Sequence, residues 1–255
     1  MGSAMKNDLV LRAIDGPIAR LTLNDPARAN ALSEAMMVAL DGALAEAAAD
    51  ERVRVIVLAA TGKVFCAGHD LAELRASDDP RQHELLFERC SALMMAVSAC
   101  RAPVIARVQG AAVAAGCQLV ASCDLAYAAA TAQFAVPGIN LGLFCSTPGV
   151  ALGRAVGRKA SMDLLLTGRF IDASRAVALG LINLAVPGED LDAVIDDTAR
   201  IIAAKPPEAI ALGKTTFRRQ MEASLADAYV IASRAMVENL AFPGARAGID
   251  GFLKR

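Results

Sequence analysis

Two apolar runs, 53–60 and 103–108, are each followed within a few residues by a turn rich in glycine and alanine. A strand with one wet face alternates polar and apolar residues. The 53–60 run is nearly continuous Val, Ile, Leu and Ala, which predicts a strand covered on both faces, as in a parallel sheet packed by helices. The remaining pattern agrees. Segments 9–12 and 18–23 alternate as strands around an Asp15-Gly16-Pro17 turn, and Asn24-Asp25-Pro26 ends the second. Ser33 reads as the N-cap of a helix running to Ala49 through Met36, Met37 and Leu40. Thr61-Gly62-Lys63 turns the chain into a short strand at 64–66, and a long amphipathic helix is expected over 80–99. Segment 111–122 predicts a helix of small residues, and 125–128 and 134–136 predict short strands. Beyond Pro148 helices dominate, one capped by Asp172-Ala173-Ser174, one over 191–204 and one starting at Pro206-Pro207. Strand–helix alternation followed by helices argues an α/β core with a helical tail.

Composition narrows the classes of function. With 26 basic and 27 acidic side chains the net charge is −1, which offers no basic field to nucleic acid or an anionic membrane. No run reaches the roughly 18 apolar residues of a membrane span, because Gln109, Gln118 and Asp124 interrupt the most apolar region. The six cysteines include no C-x-x-C pair and there are two histidines, so no zinc spacing exists and no metal is expected. The cysteines read as reduced, buried thiols. The N-terminus lacks a basic segment followed by an apolar core, and Met1-Gly2-Ser3-Ala4-Met5 reads as an added leader before a native Met5. A cytoplasmic location is therefore expected.

There is no G-x-S-x-G elbow, P-loop, G-x-G-x-x-G after a strand, or H-E-x-x-H. What remains is the pair of turns, 65–71 (F-C-A-G-H-D-L) and 109–118 (Q-G-A-A-V-A-A-G-C-Q). Small residues let backbone N–H groups approach a ligand, and N–H groups at a helix start carry positive potential. Two such turns can converge on one developing negative charge. Ordinary strand-to-helix packing by Gly and Ala is the other reading of the same spacing.

The string K-V-F-C-A-G-H-D-L (63–71), the string from Ala102 to Ala126 around Q-G-A-A-V-A-A-G-C-Q, and A-Q-F-A-V-P-G-I-N-L-G (132–142) resemble the crotonase superfamily of enoyl-CoA hydratases and isomerases. Asn24-Asp25-Pro26 with Asn30-Ala31-Leu32 resembles its N-terminal signature, and Thr167-Gly168-Arg169 with Ala173, Ala176 and Gly180 resembles the segment leading to its C-terminal helices. Within the superfamily, A-A-G-C-Q-L-V-A-S-C-D and N-x-G-L-F-C-S-T-P-G-V-A resemble the enoyl-CoA hydratase domain-containing protein 3 group, a likeness that supplies no established reaction. The resemblance implies a spiral of ββα units over 6–195 and a helical trimerisation region over 196–255. It also implies a homotrimer or a dimer of trimers, and an acyl-CoA thioester as ligand. No covalently bound cofactor is implied, coenzyme A being part of the substrate. It places the enolate oxygen on the backbone N–H groups of His69 and Ala115. Such donors are worth about 3–4 kcal/mol each at a developing oxyanion.

The resemblance makes hydration the default activity, and two positions depart from it. Where the family's hydratases carry two glutamates, this chain has Gln118 and Gly138. An amide exchanges no proton near neutral pH and glycine has no side chain, so acid–base hydration lacks an agent. Cys145 and Ser146 fall in a stretch where relatives place working residues, and pocket-wall packing is their other reading. The His69 imidazole is a further candidate. Asp70 is a candidate too, although an acid at this place more often caps the next helix. The A-G-H-D and P-x-x-N-L-G strings also resemble decarboxylases of malonyl-type thioesters, which need no general base; their tyrosine falls at Cys145 here. A non-catalytic acyl-CoA binder is the remaining alternative. By resemblance, Arg28, Ala29, Lys63, Ala67, Gly68, Asp70 and Leu71 border the coenzyme A moiety, and Lys254 serves a neighbouring subunit. The stripe Leu85, Leu86, Leu93 and Met94 reads as core or acyl-tunnel wall.

Overall fold

The computed structural model describes residues 8–254; residues 1–7, which include the expected leader at 1–5 and the first two residues of the expected core, and Arg255 lie outside the described residues. In chain order the elements are β1 (Val10–Asp15), β2 (Ile18–Leu23), α1 (Glu34–Ala49), β3 (Val55–Ala60), β4 (Val64–Cys66), α2 (Leu71–Arg75), α3 (Pro80–Ala99), β5 (Val104–Val108), β6 (Ala111–Val113) and α4 (Ala115–Ser122). There follow β7 (Leu125–Ala129), β8 (Gln133–Ala135), α5 (Ser146–Ala155), α6 (Arg158–Thr167), β9 (Ile171–Asp172), α7 (Ala173–Leu179), β10 (Leu184–Val186), α8 (Leu191–Ala203), α9 (Pro207–Met221), α10 (Leu225–Leu240) and α11 (Pro243–Leu253).

The strands form two sheets, β1-β2-β3-β5-β7-β10 and β4-β6-β8-β9. Each turn of chain places one strand in the first sheet, the next in the second, and then a helix: β3-β4 before α2 and α3, β5-β6 before α4, β7-β8 before α5 and α6. This is the spiral of ββα units. From β2 onward the first sheet is parallel, and only the β1–β2 hairpin is antiparallel. Every residue of β3 is buried, in keeping with its unbroken apolar run, whereas β2 alternates.

Local signals set most helix starts. Ser33 Oγ accepts the Met36 N–H at 3.1 Å, and Asp172 accepts the Arg175 N–H at 2.7 Å. One expectation is corrected. Residues 111–122 do not form one helix, because 111–113 pair with β4 on one side and β8 on the other before α4 begins at Ala115. Hydrogen bonds from two neighbouring strands outweigh alanine's helix preference.

The boundary expected at 195/196 falls inside α8. One face of that helix, Leu191, Ile195 and Ala199, packs on Val55, Val57 and Ile105 of the first sheet. Arg107 and Arg20 clamp Asp192 from the same sheet, and Arg20 reaches Asp196 at 3.0 Å. Helices α9, α10 and α11 contain no buried residue in the protomer. Five of the six cysteines are buried and Cys123 is half-buried.

Candidate active site

The first turn, between β4 and α2, is tied down by the N-terminal signature. Asn30 is wholly buried, and its Nδ2 donates to the Thr61 and Val64 carbonyls at 2.8 Å each. Its Oδ1 accepts the Asp25 N–H at 2.8 Å. The Ala67 N–H donates to the Ala29 carbonyl at 3.1 Å, and the Leu32 N–H donates to the Gly68 carbonyl at 2.7 Å. Gly68 itself sits at φ +95°, a conformation closed to side chains.

The second turn presses against the first. A β-carbon on Gly110 would overlap the Lys63 carbonyl oxygen, and one on Gly116 would overlap the Cys66 carbonyl oxygen. A β-carbon on Gly68 would stand 2.8 Å from Ala114 Cβ and 3.2 Å from the Ala115 nitrogen. Gln109 Nε2 adds a cross-link to the Gly62 carbonyl at 3.1 Å. Ala114, at φ +51° and ψ −118°, is held off any relaxed alanine conformation, with its N–H donated to the Ala135 carbonyl at 2.8 Å.

Ala115 opens α4, so its N–H has no partner within the helix. Neither the His69 nor the Ala115 N–H meets an acceptor among the described residues. Two free donors thus stand on touching turns, one of them at the start of α4, where helix N–H groups carry positive potential.

The side chains differ in state. Gln118, one turn into α4, is 4% exposed, and its Oε1 is buried without a partner. Helical side chains lean toward the N-terminus, which carries this amide over the Ala115 turn. At Gly138 a β-carbon would overlap the Leu143 carbonyl oxygen and stand 2.7 Å from Cys145 Sγ. Cys145 is 8% exposed and burial raises its thiol pKa, with the Gly138 backbone opposing. Burial also pushes the Cys117 thiol up to about 12, with Cys145 adding to the rise. Ser146 is exposed, with Oγ donating to the Phe144 carbonyl at 3.4 Å.

The His69 ring meets Phe87 of α3 edge-on, with centroids 5.4 Å apart and planes at 88°. Neither ring nitrogen has a hydrogen-bond partner. Burial lowers the imidazole pKa, and the Leu32 backbone opposes that shift without offering a bond of acceptable geometry. Asp70 caps α2, accepting the Ala72 and Glu73 N–H groups at 2.9 and 3.4 Å, and lies 3.5 Å from Arg28. Arg28 also pairs with Asp25 at 2.7 Å. Lys63, Ala67 and Leu71 are exposed beside the first turn. Of the α3 stripe, Leu93 and Met94 are core, Leu86 packs on its edge and Leu85 faces outward.

Two contributors were not singled out from the sequence for these roles: Asn30 as the cross-link between signature and turn, and Phe87 as the ring contact. For Asn30 a signal existed, since asparagine tolerates the left-handed φ of +52° it adopts here and carries both donor and acceptor. A cavity of about 350 Å³ lies elsewhere, between α8, α9 and the sheet, lined by Pro103, Leu125, Ile202, Lys205, Ile210 and Lys214 among others, and includes none of these site residues. Among the described residues no helix is long and apolar enough to cross a membrane, and no group of three or more His, Cys, Asp or Glu could hold a metal.

Known proteins share this fold. Residues 13–255 match the enoyl-CoA hydratase/isomerase family model, and the chain belongs to that family. Among curated proteins it is 45% identical over 244 residues to enoyl-CoA hydratase domain-containing protein 3, mitochondrial, of Rattus norvegicus, covering 96% of this chain and 81% of that one. Its fold superposes on a crystal structure of an enoyl-CoA hydratase from Mycobacterium smegmatis with TM-score 0.94, 52% identity and 96% of each chain covered. The human enoyl-CoA hydratase domain-containing protein 3 structure gives TM-score 0.93 at 42% identity, covering 96% of this chain and 97% of that one. The expectation of a cytoplasmic location is overturned by these relatives: the rat, frog, mouse and human proteins are all named mitochondrial.

Proposed function

We propose that the protein binds an acyl-CoA thioester and stabilises the enolate of its acyl group between the N–H groups of His69 and Ala115. The single observation that carries this reading is the pair of unpartnered backbone donors on two turns packed in contact. A thioester carbonyl placed there gains most as charge develops on its oxygen, the condition for lowering a barrier rather than merely binding. Coenzyme A enters as part of the substrate. Its pantetheine and nucleotide run past Arg28, Ala29, Ala67, Gly68, Asp70 and Leu71, with the exposed Lys63 available to phosphates.

Hydration of an enoyl-CoA is the family's named activity, and nothing at Gln118 or Gly138 can activate water or protonate the α-carbon. A second reading, decarboxylation of a malonyl-type thioester, gains from the same fact, because loss of CO2 makes the enolate without a base. Helices α9–α11 bear exposed Phe217, Met221, Leu225, Tyr229, Val237 and Phe252, which supports a homotrimer or a dimer of trimers that covers them.

Titration calorimetry with butyryl-CoA tests the main reading, with saturable binding expected. Absence of binding to any short acyl-CoA overturns it. Crotonyl-CoA followed at the enoyl absorbance is expected to hydrate no faster than in buffer, and CO2 release from malonyl-CoA selects the second reading. Binding with no turnover over a thioester panel makes the protein a binder.

A further inference from the structure

Each donor follows a residue whose backbone has turned to positive φ: Gly68, at +95°, precedes His69, and Ala114, at +51°, precedes Ala115. Glycine adopts such a conformation freely and alanine does not. Ala29 shares the φ of Ala114, but its ψ of 35° puts it in the left-handed helical well that side chains can enter. Ala114 has ψ −118°, the geometry of the first central residue of a type II′ turn, where glycine is the rule. A strained alanine persists only where its surroundings hold it, and this one stands immediately before an unpartnered donor.

We infer that Ala114 is a positioning residue whose methyl group sets the spacing and tilt of the two donors, a role that rests on the acyl-CoA reading above. A peptide unit is planar and trans, so a carbonyl held on one side fixes the aim of the N–H on the other. The Gly68 carbonyl accepts the Leu32 N–H at 2.7 Å, which aims the His69 N–H. The Ala114 carbonyl accepts the Gln118 N–H at 3.0 Å, which aims the Ala115 N–H. The Ala114 N–H, donated to the Ala135 carbonyl at 2.8 Å, anchors the second unit to β8. These bonds orient each unit within its own surroundings, and none of them joins one unit to the other.

Packing makes that join. Gly116, lying against the Cys66 carbonyl, lets the two turns approach. The Ala114 methyl fills the space that Gly68 leaves open, since a β-carbon on Gly68 would stand 2.8 Å from it. One glycine permits the approach and the methyl stops it. Glycine at 114 would relieve the strain and keep all three hydrogen bonds, so folding alone favours glycine there. An oxygen gaining charge profits from two donors only where they converge on it, and preorganised donors act without moving at the moment of reaction. The strained methyl holds that convergence.

The test compares wild type, Ala114→Gly and Ala114→Ser with two ligands, butyryl-CoA and acetoacetyl-CoA. Acetoacetyl-CoA is a carbon acid whose enolate absorbs in the near ultraviolet, so its ionisation on the protein, with the proton released to solvent, is read by pH titration. Wild type is expected to bind both and to lower the acetoacetyl-CoA pKa by about one unit or more from its value free in solution. Ala114→Gly is expected to gain about 2–4 °C in Tm as strain is relieved. Its butyryl-CoA Kd is expected to stay within about threefold, while its preference for the enolate falls about tenfold, one unit of pKa. Ala114→Ser keeps the β-carbon and is expected to titrate as wild type does. A methyl that merely fills space moves Tm and leaves the enolate pKa alone, so an unchanged pKa in Ala114→Gly overturns the proposal. So does a serine variant that follows the glycine one. Wild type that binds butyryl-CoA but leaves the acetoacetyl-CoA pKa at its solution value also overturns it, with acyl-CoA binding left standing. Absence of binding by either ligand removes the acyl-CoA reading itself, and the proposal with it.

Discussion

Gly116 and Gly138 are both places where a side chain would collide, yet they stand for opposite halves of the site. The room a side chain would need at Gly116 is taken by the Cys66 carbonyl of the neighbouring turn, and that contact is what brings two N–H donors together. At Gly138 it is taken by the Leu143 carbonyl and Cys145 Sγ, and that contact leaves no room for a longer side chain, the acid expected there by resemblance included. The first glycine builds chemistry and the second excludes it. Backbone chemistry is held by packing over the whole ββα spiral, so it cannot change without the fold. Side-chain chemistry depends on one or two positions and on the room around them.

Substitution at each glycine puts this contrast to its hardest trial. Gly116→Ala forces a methyl into a backbone carbonyl at the buried start of α4. A loss of about 3 kcal/mol, or roughly 6–12 °C in Tm, is expected from overpacking of this kind. Thermal unfolding checks the stability, and calorimetry checks that butyryl-CoA affinity falls with it. An intact, tightly binding Gly116→Ala breaks the contrast. Gly138→Glu is expected to cost less, about 1–3 kcal/mol, because Leu143, whose carbonyl it meets, lies on an exposed stretch. No hydration of crotonyl-CoA above wild type is expected from it. A gain would mean that the acid position was open after all.

Local chemistry explains which parts were legible from sequence. Ser33 and Asp172 announce their helices through caps that act within three residues, and 53–60 announces its double burial through composition alone. Residues 111–113 carry only a helix-like local pattern, because the partners that make them a strand, Val64, Cys66, Phe134 and Ala135, are distant in sequence. The two backbone donors were legible only through a resemblance, since glycine and alanine spacing by itself fits ordinary packing equally well. The crowding at Gly138 left no trace in the sequence, because the colliding atom is a main-chain oxygen that any residue at 143 would present. The partnerless state of the His69 ring is equally a product of assembly, set by α3 closing over it.

The smallest expected effect concerns the scaffold away from the site. Arg107 holds Asp192 at 2.7 and 2.8 Å, and that hydrogen-bonded pairing keeps the Asp192 pKa below its ordinary 3.8. A carboxyl whose folded pKa is depressed contributes stability that is complete above the unfolded value and lost as pH falls through the folded one. Asp192 is largely exposed, so Asp192→Asn is expected to cost at most about 1 kcal/mol at pH 7. The Tm difference from wild type is expected to close as pH drops below 3.8. Acyl-CoA affinity is expected to stay unchanged. A shift in affinity would show that the α8 clamp and the donor pair are coupled, and would blur the separation of site from frame.

The crowding around Gly138 also sets how far a single substitution there can reach. Where the wall of a site is open, one substitution suffices to install an acid. Here the room is taken by main chain and sulfur, so a glutamate placed at 138 meets an occupied place until residues 143–145 move as well. An acid at 138 therefore takes two coordinated changes where an open wall would take one.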